Sequence, residues 1–199
     1  MLPLGSRAAS LSFAAVLASL LLASGSLPTE LLSELRWSRD VPFLQQPHRY
    51  LTAHFAHLDF FHAAWNAGGF LLVWIVLHDY LTAGRWLAVF LIAVLAIDIG
   101  LMEWSRFDWY VGASGWIHAL AAAGISTRAL QGERLAIALG VLGVAKLAAE
   151  VCNPQLASLG HGAVVATLVH LIGVAAGASC ALAFALRDRV TREATGARQ

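Results

Sequence analysis

A chain of 199 residues that is 59% hydrophobic and only 13% charged, with a mean hydropathy of +0.70, cannot cover a water-facing globule, since soluble domains run nearer a quarter charged. Its natural solvent is lipid, and the expected fold class is all-α, a polytopic membrane protein forming a single domain. A net charge of +1 leaves no basic stripe to neutralise phosphates, which excludes nucleic acid as a partner.

Residues 8–27 are apolar after Arg7. About 20 such residues cross the hydrocarbon core, so the stretch reads as a first transmembrane helix. The competing reading is a signal peptide ending near Ala23-Ser24-Gly25. Residues 28–56 mix Glu30, Glu34, Arg36, Trp37, Arg39, Asp40, Pro42, Pro47, Arg49 and Tyr50. That composition suits an ordered interfacial loop and not a span.

Further helices are expected over 58–78, 85–102, 114–130, 134–151 and 167–186, making six spans in all. The second carries His62 and Asn66 at i and i+4 on one face, and the third carries Asp98. A connection rich in glycine, proline and asparagine, with Pro154, Gly160, His161 and Gly162, precedes the sixth. Residues 187–199 read as a frayed polar tail. Cys152, assigned to a loop, and Cys180, assigned to a helix, have neither metal nor disulfide spacing.

Arginine and lysine set the orientation. With the N-terminus inside, the inner segments hold Arg7, Arg85, Arg128, Arg134, Arg187, Arg189, Arg192 and Arg198; the outer ones hold Arg36, Arg39, Arg49, Arg106 and Lys146. The bias, eight against five, predicts cytoplasmic termini. Ser114, His57 and His170 then lie at similar depth near the outer face.

Polar groups inside a membrane are expensive, so each requires a partner or a task. Gly112-Ala113-Ser114-Gly115 puts a small hydroxyl at the mouth of an apolar helix, with His118 one turn on. The bland reading is a small residue at a helix crossing. On the sixth helix His170, Gly173 and Gly177 share one side, and small residues there admit a close neighbour. Gly112 and Gly115 are the expected complements. Such packing would bring His170 beside Ser114 as a base for a nucleophile. His62, Asn66 and the Ser114 backbone N–H would meet the oxyanion, and no third acid is required. His62 and Asn66 can equally be a buried polar pair holding two helices together.

The run Arg49-Tyr50-Leu51-Thr52-Ala53-His54-Phe55-Ala56-His57-Leu58-Asp59-Phe60-Phe61-His62-Ala63-Ala64-Trp65-Asn66 resembles the first-loop and helix-two signature of rhomboid intramembrane serine proteases. Gly112-Ala113-Ser114-Gly115 resembles their nucleophile motif, and His170-Leu171-Ile172-Gly173 with Gly177 their His-x-x-Gly-x-x-x-Gly helix. The three occur in the family's order and, with the six spans, cover about residues 45 to 185 of the chain.

The resemblance implies a six-transmembrane-helix rhomboid-like bundle. In it Ser114 would be the nucleophile, His170 the general base, and His62 and Asn66 the oxyanion donors. His57 and Arg49 would be structural. Ala119 departs from the family, which often has glycine there, and His118 is not typical of ordinary members.

His118 and the Ala145-Lys146-Leu147-Ala148-Ala149-Glu150 segment are similar to the rhombosortase branch, bacterial inner-membrane enzymes. That similarity implies a periplasm-facing site and, as partners, membrane-tethered or secreted proteins with Gly-rich C-terminal sorting tails. No cofactor or metal is expected. For His118 a supporting role is the first reading and the base the second. His54, His161 and His78 are assigned to loop or interfacial positions, and Asp98 could pair with a buried histidine, although nothing in the sequence identifies which.

Three alternatives stay open. His54, His57, His62, His118, His170, Asp59 and Asp98 could supply ligands for a membrane zinc hydrolase, although no His-Glu-x-x-His spacing occurs. Intramembrane histidines also suit a haem-binding or ion-conducting bundle. A rhomboid-fold pseudoenzyme would bind transmembrane helices without cutting them.

Overall fold

A computed structural model describes residues 4–105, 107–153 and 167–196. The elements in order are α1 (Leu4–Ser24), α2 (Thr29–Leu35), β1 (Trp37–Ser38), α3 (Arg49–Thr52), α4 (Phe60–Leu77), a 3-10 turn (His78–Tyr80), α5 (Ala83–Glu103), β2 (Trp109–Tyr110), α6 (Ser114–Ala129), α7 (Arg134–Cys152) and α8 (Thr167–Gly196). The protein is a polytopic helical membrane bundle. Its surface is apolar because lipid is its solvent: Leu87, Leu91 and Leu95 of α5 and Val141, Leu142 and Val144 of α7 all face outward.

By length and hydropathy α4 with its following turn, α5, α7 and α8 can each cross a membrane, and α1 with α2, bent by 119°, counts as one broken span. The remaining long helix, α6, is different. Its 16 residues reach about 24 Å at 1.5 Å per residue, short of the roughly 30 Å hydrocarbon core. It contacts α4, α5, α7 and α8 and buries Gly115, Trp116, Ile117, Ala119, Leu120, Ala123 and Gly124. A helix this short, enclosed by longer ones, does not cross the layer by itself, and Ser114 is its first residue.

Contact between α6 and α8 is at the level of the backbone. A Cβ placed on Gly173 would collide with the Gly115 carbonyl oxygen, and one on Gly177 with that of Ala119. The two small pairs, Gly115/Ala119 and Gly173/Gly177, sit at i and i+4 and admit close approach. The expected complement of Gly112 and Gly115 is thus corrected. Gly112 precedes α6 and has φ 134°, where a side chain would be strained, and Ala119 supplies the second small position.

The segment between α1 and α4 is built into the bundle. β1 pairs antiparallel with β2, Trp37 opposite Tyr110. Arg39 donates to the carbonyls of Leu101 (2.7 Å), Met102 (2.9 Å) and Ser105 (2.8 Å), satisfying the open C-terminal end of α5. Arg49 is buried and donates to the carbonyls of Ser33 (2.6 Å) and Arg36 (3.0 Å).

Two sequence assignments change. The residues read as a frayed tail continue α8 through Gly196, and an Arg85–Asp188 ion pair ties that extension to α5. Cys152 is the last residue of α7 and not a loop residue; it and buried Cys180 are both free. The reading of Pro154, Gly160, His161 and Gly162 falls outside the described residues, as do Arg106 and the last three positions.

Gly177→Leu must drive α8 away from α6 and is expected to cost at least the 1–3 kcal/mol (about) typical of overpacking. Gly68→Ala, where nothing lies within 4 Å of the added methyl, should be neutral or slightly stabilising. Thermal unfolding of the two variants in detergent checks the contrast.

Candidate active site

The turn before α6 is pinned by residues 53 and 54. Gly112 N–H donates to the Ala53 carbonyl at 2.9 Å, and the Trp116 indole N–H donates to the His54 carbonyl at 3.0 Å. The buried Tyr110 hydroxyl donates to the Gly112 carbonyl at 2.6 Å and neighbours the Ser114 side chain. Ser114 therefore starts its helix from a fixed platform. The first N–H groups of α6 lack intrahelical acceptors and form the positive end of the helix dipole.

His170 of α8 lies 3% exposed. Its Nε2 is 2.9 Å from Ser114 Oγ, and its Nδ1 is 2.9 Å from Glu150 Oε2. The second Glu150 oxygen accepts from Lys146 Nζ, four residues earlier on α7. Lys146 Nζ also lies 3.1 Å from His118 Nε2, and His118 Nδ1 is 2.7 Å from the Ser114 carbonyl. The His118 and His170 rings stack at 4.1 Å with 19° between their planes. Serine, two imidazoles, carboxylate and ammonium form one closed circuit.

The partners dictate both tautomers. An ammonium only donates, so His118 Nε2 must accept and Nδ1 must carry the proton given to the Ser114 carbonyl. A carboxylate accepts, so His170 Nδ1 carries its proton and Nε2 presents a lone pair to the serine hydroxyl. His118 is committed to the backbone of Ser114, and its geometry does not suit it to take the Oγ proton.

On α4 Asp59 caps the helix, accepting from His62 N–H at 2.8 Å. The His62 ring lies against Gly112: a Cβ there would stand 3.1 Å from His62 Nε2. Asn66, buried one turn on, donates through Nδ2 to the His62 carbonyl at 3.0 Å, which leaves its second amide proton for another acceptor. His57 Nδ1 is 2.6 Å from Ser24 Oγ. Since Ser24 gives its own proton to the Leu21 carbonyl, His57 is the donor, and the contact joins the end of α1 to the segment before α4.

Four features escaped sequence reasoning. Glu150 at the back of His170 supplies a third acid where none was required. An ionisable pair at i and i+4, Lys146 and Glu150, on an otherwise apolar span was the available signal. Tyr110 had none. Asp98 finds its buried histidine in His54, Oδ1 to Nε2 3.1 Å; His54 lies in a turn, as a loop histidine would, but is fully buried and not interfacial. The turn after α3 drives it inward, under the α6 platform. His78 stays at a helix end, its Nδ1 2.9 Å from the Trp74 carbonyl.

Among the described residues no three His, Cys, Asp or Glu side chains gather as a metal site. A serine hydrogen-bonded to an imidazole at the head of a short, enclosed helix, inside a polytopic helical membrane bundle, is an arrangement suited to acyl transfer. The sequence matches the Rhomboid domain over residues 44–187. The chain therefore belongs to the rhomboid family, whose members are intramembrane serine proteases. No curated protein matches it.

Burial, and then the neighbouring His62, push the His57 imidazole from the ordinary 6.5 to about 3. The unfolded chain therefore binds a proton that the folded one refuses between those values, and folding stability falls as pH drops through that window. Unfolding temperature in detergent should decline from pH 7 to pH 5, and His57→Gln should flatten the decline. An unchanged slope in the variant would assign the effect to other groups.

Proposed function

We propose that the chain is a rhomboid protease of the rhombosortase type, in which Ser114 is the nucleophile and His170 the general base. The observation that carries this reading is the 2.9 Å separation of Ser114 Oγ and His170 Nε2, within reach for proton transfer.

Ser114 Oγ attacks the scissile carbonyl while its proton passes to His170 Nε2. The oxyanion is met by the N–H of Ser114 at the head of α6, with His62 and Asn66 as further donors. Collapse expels the amine, which takes the proton from His170, and leaves an acyl-enzyme. Water, or an amine acceptor, resolves the ester. His57 and Arg49 serve as structural ties, Gly112 as the tight turn, and Gly115, Gly173 and Gly177 as the helix contact.

The substrate is a transmembrane segment carrying a Gly-rich stretch near its C-terminus. A helix must unwind before its backbone can be attacked, and glycine unwinds most readily. His118 and the Lys146–Glu150 segment support the branch assignment. The branch resemblance implies the inner membrane of a bacterium, and the arginine bias supports cytoplasmic termini and a site opening toward the outer, periplasmic face.

Ser114→Ala should keep its fold, lose labelling by a fluorophosphonate or isocoumarin probe, and lose cleavage by a factor on the order of 10⁶. Cleavage at the normal rate would remove the serine mechanism. Comparing C-termini of secreted proteins with and without the enzyme reads the substrate. Gly-rich tails left uncut support the branch, whereas uncut single-span proteins without such tails would make this an ordinary rhomboid protease.

A further inference from the structure

We propose that Glu150 is a positioning residue for His170, and that Lys146 and His118 close a circuit which fixes the tautomer and aim of that base. The inference rests on the Ser114/His170 reading above.

Glu150 is 3% exposed on a helix that otherwise faces lipid, with 17% of its span buried against 44% for α5. An isolated carboxylate is strongly disfavoured there. Two opposed contacts hold it, the Nδ1 proton of His170 at 2.9 Å and the Lys146 ammonium. Lys146 and Glu150 both belong to α7, so a strap holding that helix to the bundle would need only one of their contacts to α6 or α8. What exceeds that need is the geometry at His170: carboxylate behind Nδ1, serine in front of Nε2, and the His118 ring stacked flat at 4.1 Å. The ring can neither flip nor swivel without breaking the circuit. When His170 takes the serine proton it becomes a cation in a buried site, and the carboxylate already faces it, as the third member does in other triads.

Lys146 gives the proposal a distinctive signature. In Glu150→Gln the ammonium, a pure donor, draws the amide oxygen to itself and turns the NH₂ group toward His170 Nδ1. That nitrogen must then accept, which moves the imidazole proton to Nε2 and aims it at Ser114. The base is present but holds the wrong tautomer. Turnover and fluorophosphonate labelling should fall about 10³–10⁴-fold, with KM changed by less than about threefold. Adding Lys146→Met to that variant frees the amide to turn its oxygen toward His170, and should recover at least about tenfold over Glu150→Gln alone. Glu150→Asp, which keeps the carboxylate, should recover a similar amount.

All variants are measured as full-length protein in detergent and in liposomes, alongside Ser114→Ala and unfolding temperatures. The inference is overturned if Glu150→Gln labels at the wild-type rate. It is equally overturned if Glu150→Gln, Glu150→Asp and the double variant lose activity equally and in step with stability, as a structural strap would. If Ser114→Ala stays active, the dyad fails and takes this inference with it. If Ser114→Ala is dead while Glu150→Gln is unimpaired, the positioning role alone is lost.

Discussion

The distance between two helix backbones governs this molecule. Gly173 and Gly177 of α8 lie on the carbonyls of Gly115 and Ala119 of α6, and no side chain intervenes. Lipid tails supply no hydrophobic drive to bring helices together, so association in the membrane depends on close packing of this kind. Ser114 and His170 stand at one end of that seam, each one turn or less from a contacting residue. A 2.9 Å hydrogen bond between residues 56 positions apart is then a by-product of packing.

The second constraint is desolvation. Among the described residues, several polar side chains are joined in sets: Ser114, His170, Glu150, Lys146 and His118 in one, Asp98 and His54 in another, and Ser24 with His57 in a third. Each group left unjoined in a medium without water would cost several kcal/mol. The sets also converge on the turn from Tyr110 to Ser114. The Ala53 carbonyl accepts from Gly112 N–H in that turn, the His54 carbonyl accepts from the Trp116 indole N–H just inside α6, and Asp98 anchors the His54 ring. Catalytic groups and the segment that presents them are thus fixed by the same requirement.

Much of this was readable from the chain because membrane proteins write their fold in long apolar runs, and because glycine spacing reveals which helix faces can touch. Ser114, His170 and the His62–Asn66 pair stood out as polar residues at odds with their surroundings. Glu150 was harder. Its sequence neighbours show an ion pair, but periodicity does not reveal which helix an α7 residue faces. His54 reads as a loop residue and lies in a turn, but its full burial depends on how the turn after α3 carries it under α6. Gly112 precedes the helix start at Ser114, which sequence and structure share, so the second small contact is Ala119, one turn beyond Gly115. The continuation of α8 past residue 186 is accompanied by an ion pair between Asp188 and Arg85 that no local pattern announces.

The lean packing of α7 has a physical corollary. Its 19 residues extend about 28 Å, close to the thickness of an average hydrocarbon layer, and little of that length is pressed against protein. In a thinner or thicker bilayer the least-held helix tilts first to match, and the carboxylate behind His170 rides on it. The surrounding lipid is in that sense a component of the site, setting from outside the angle at which one wall of it stands.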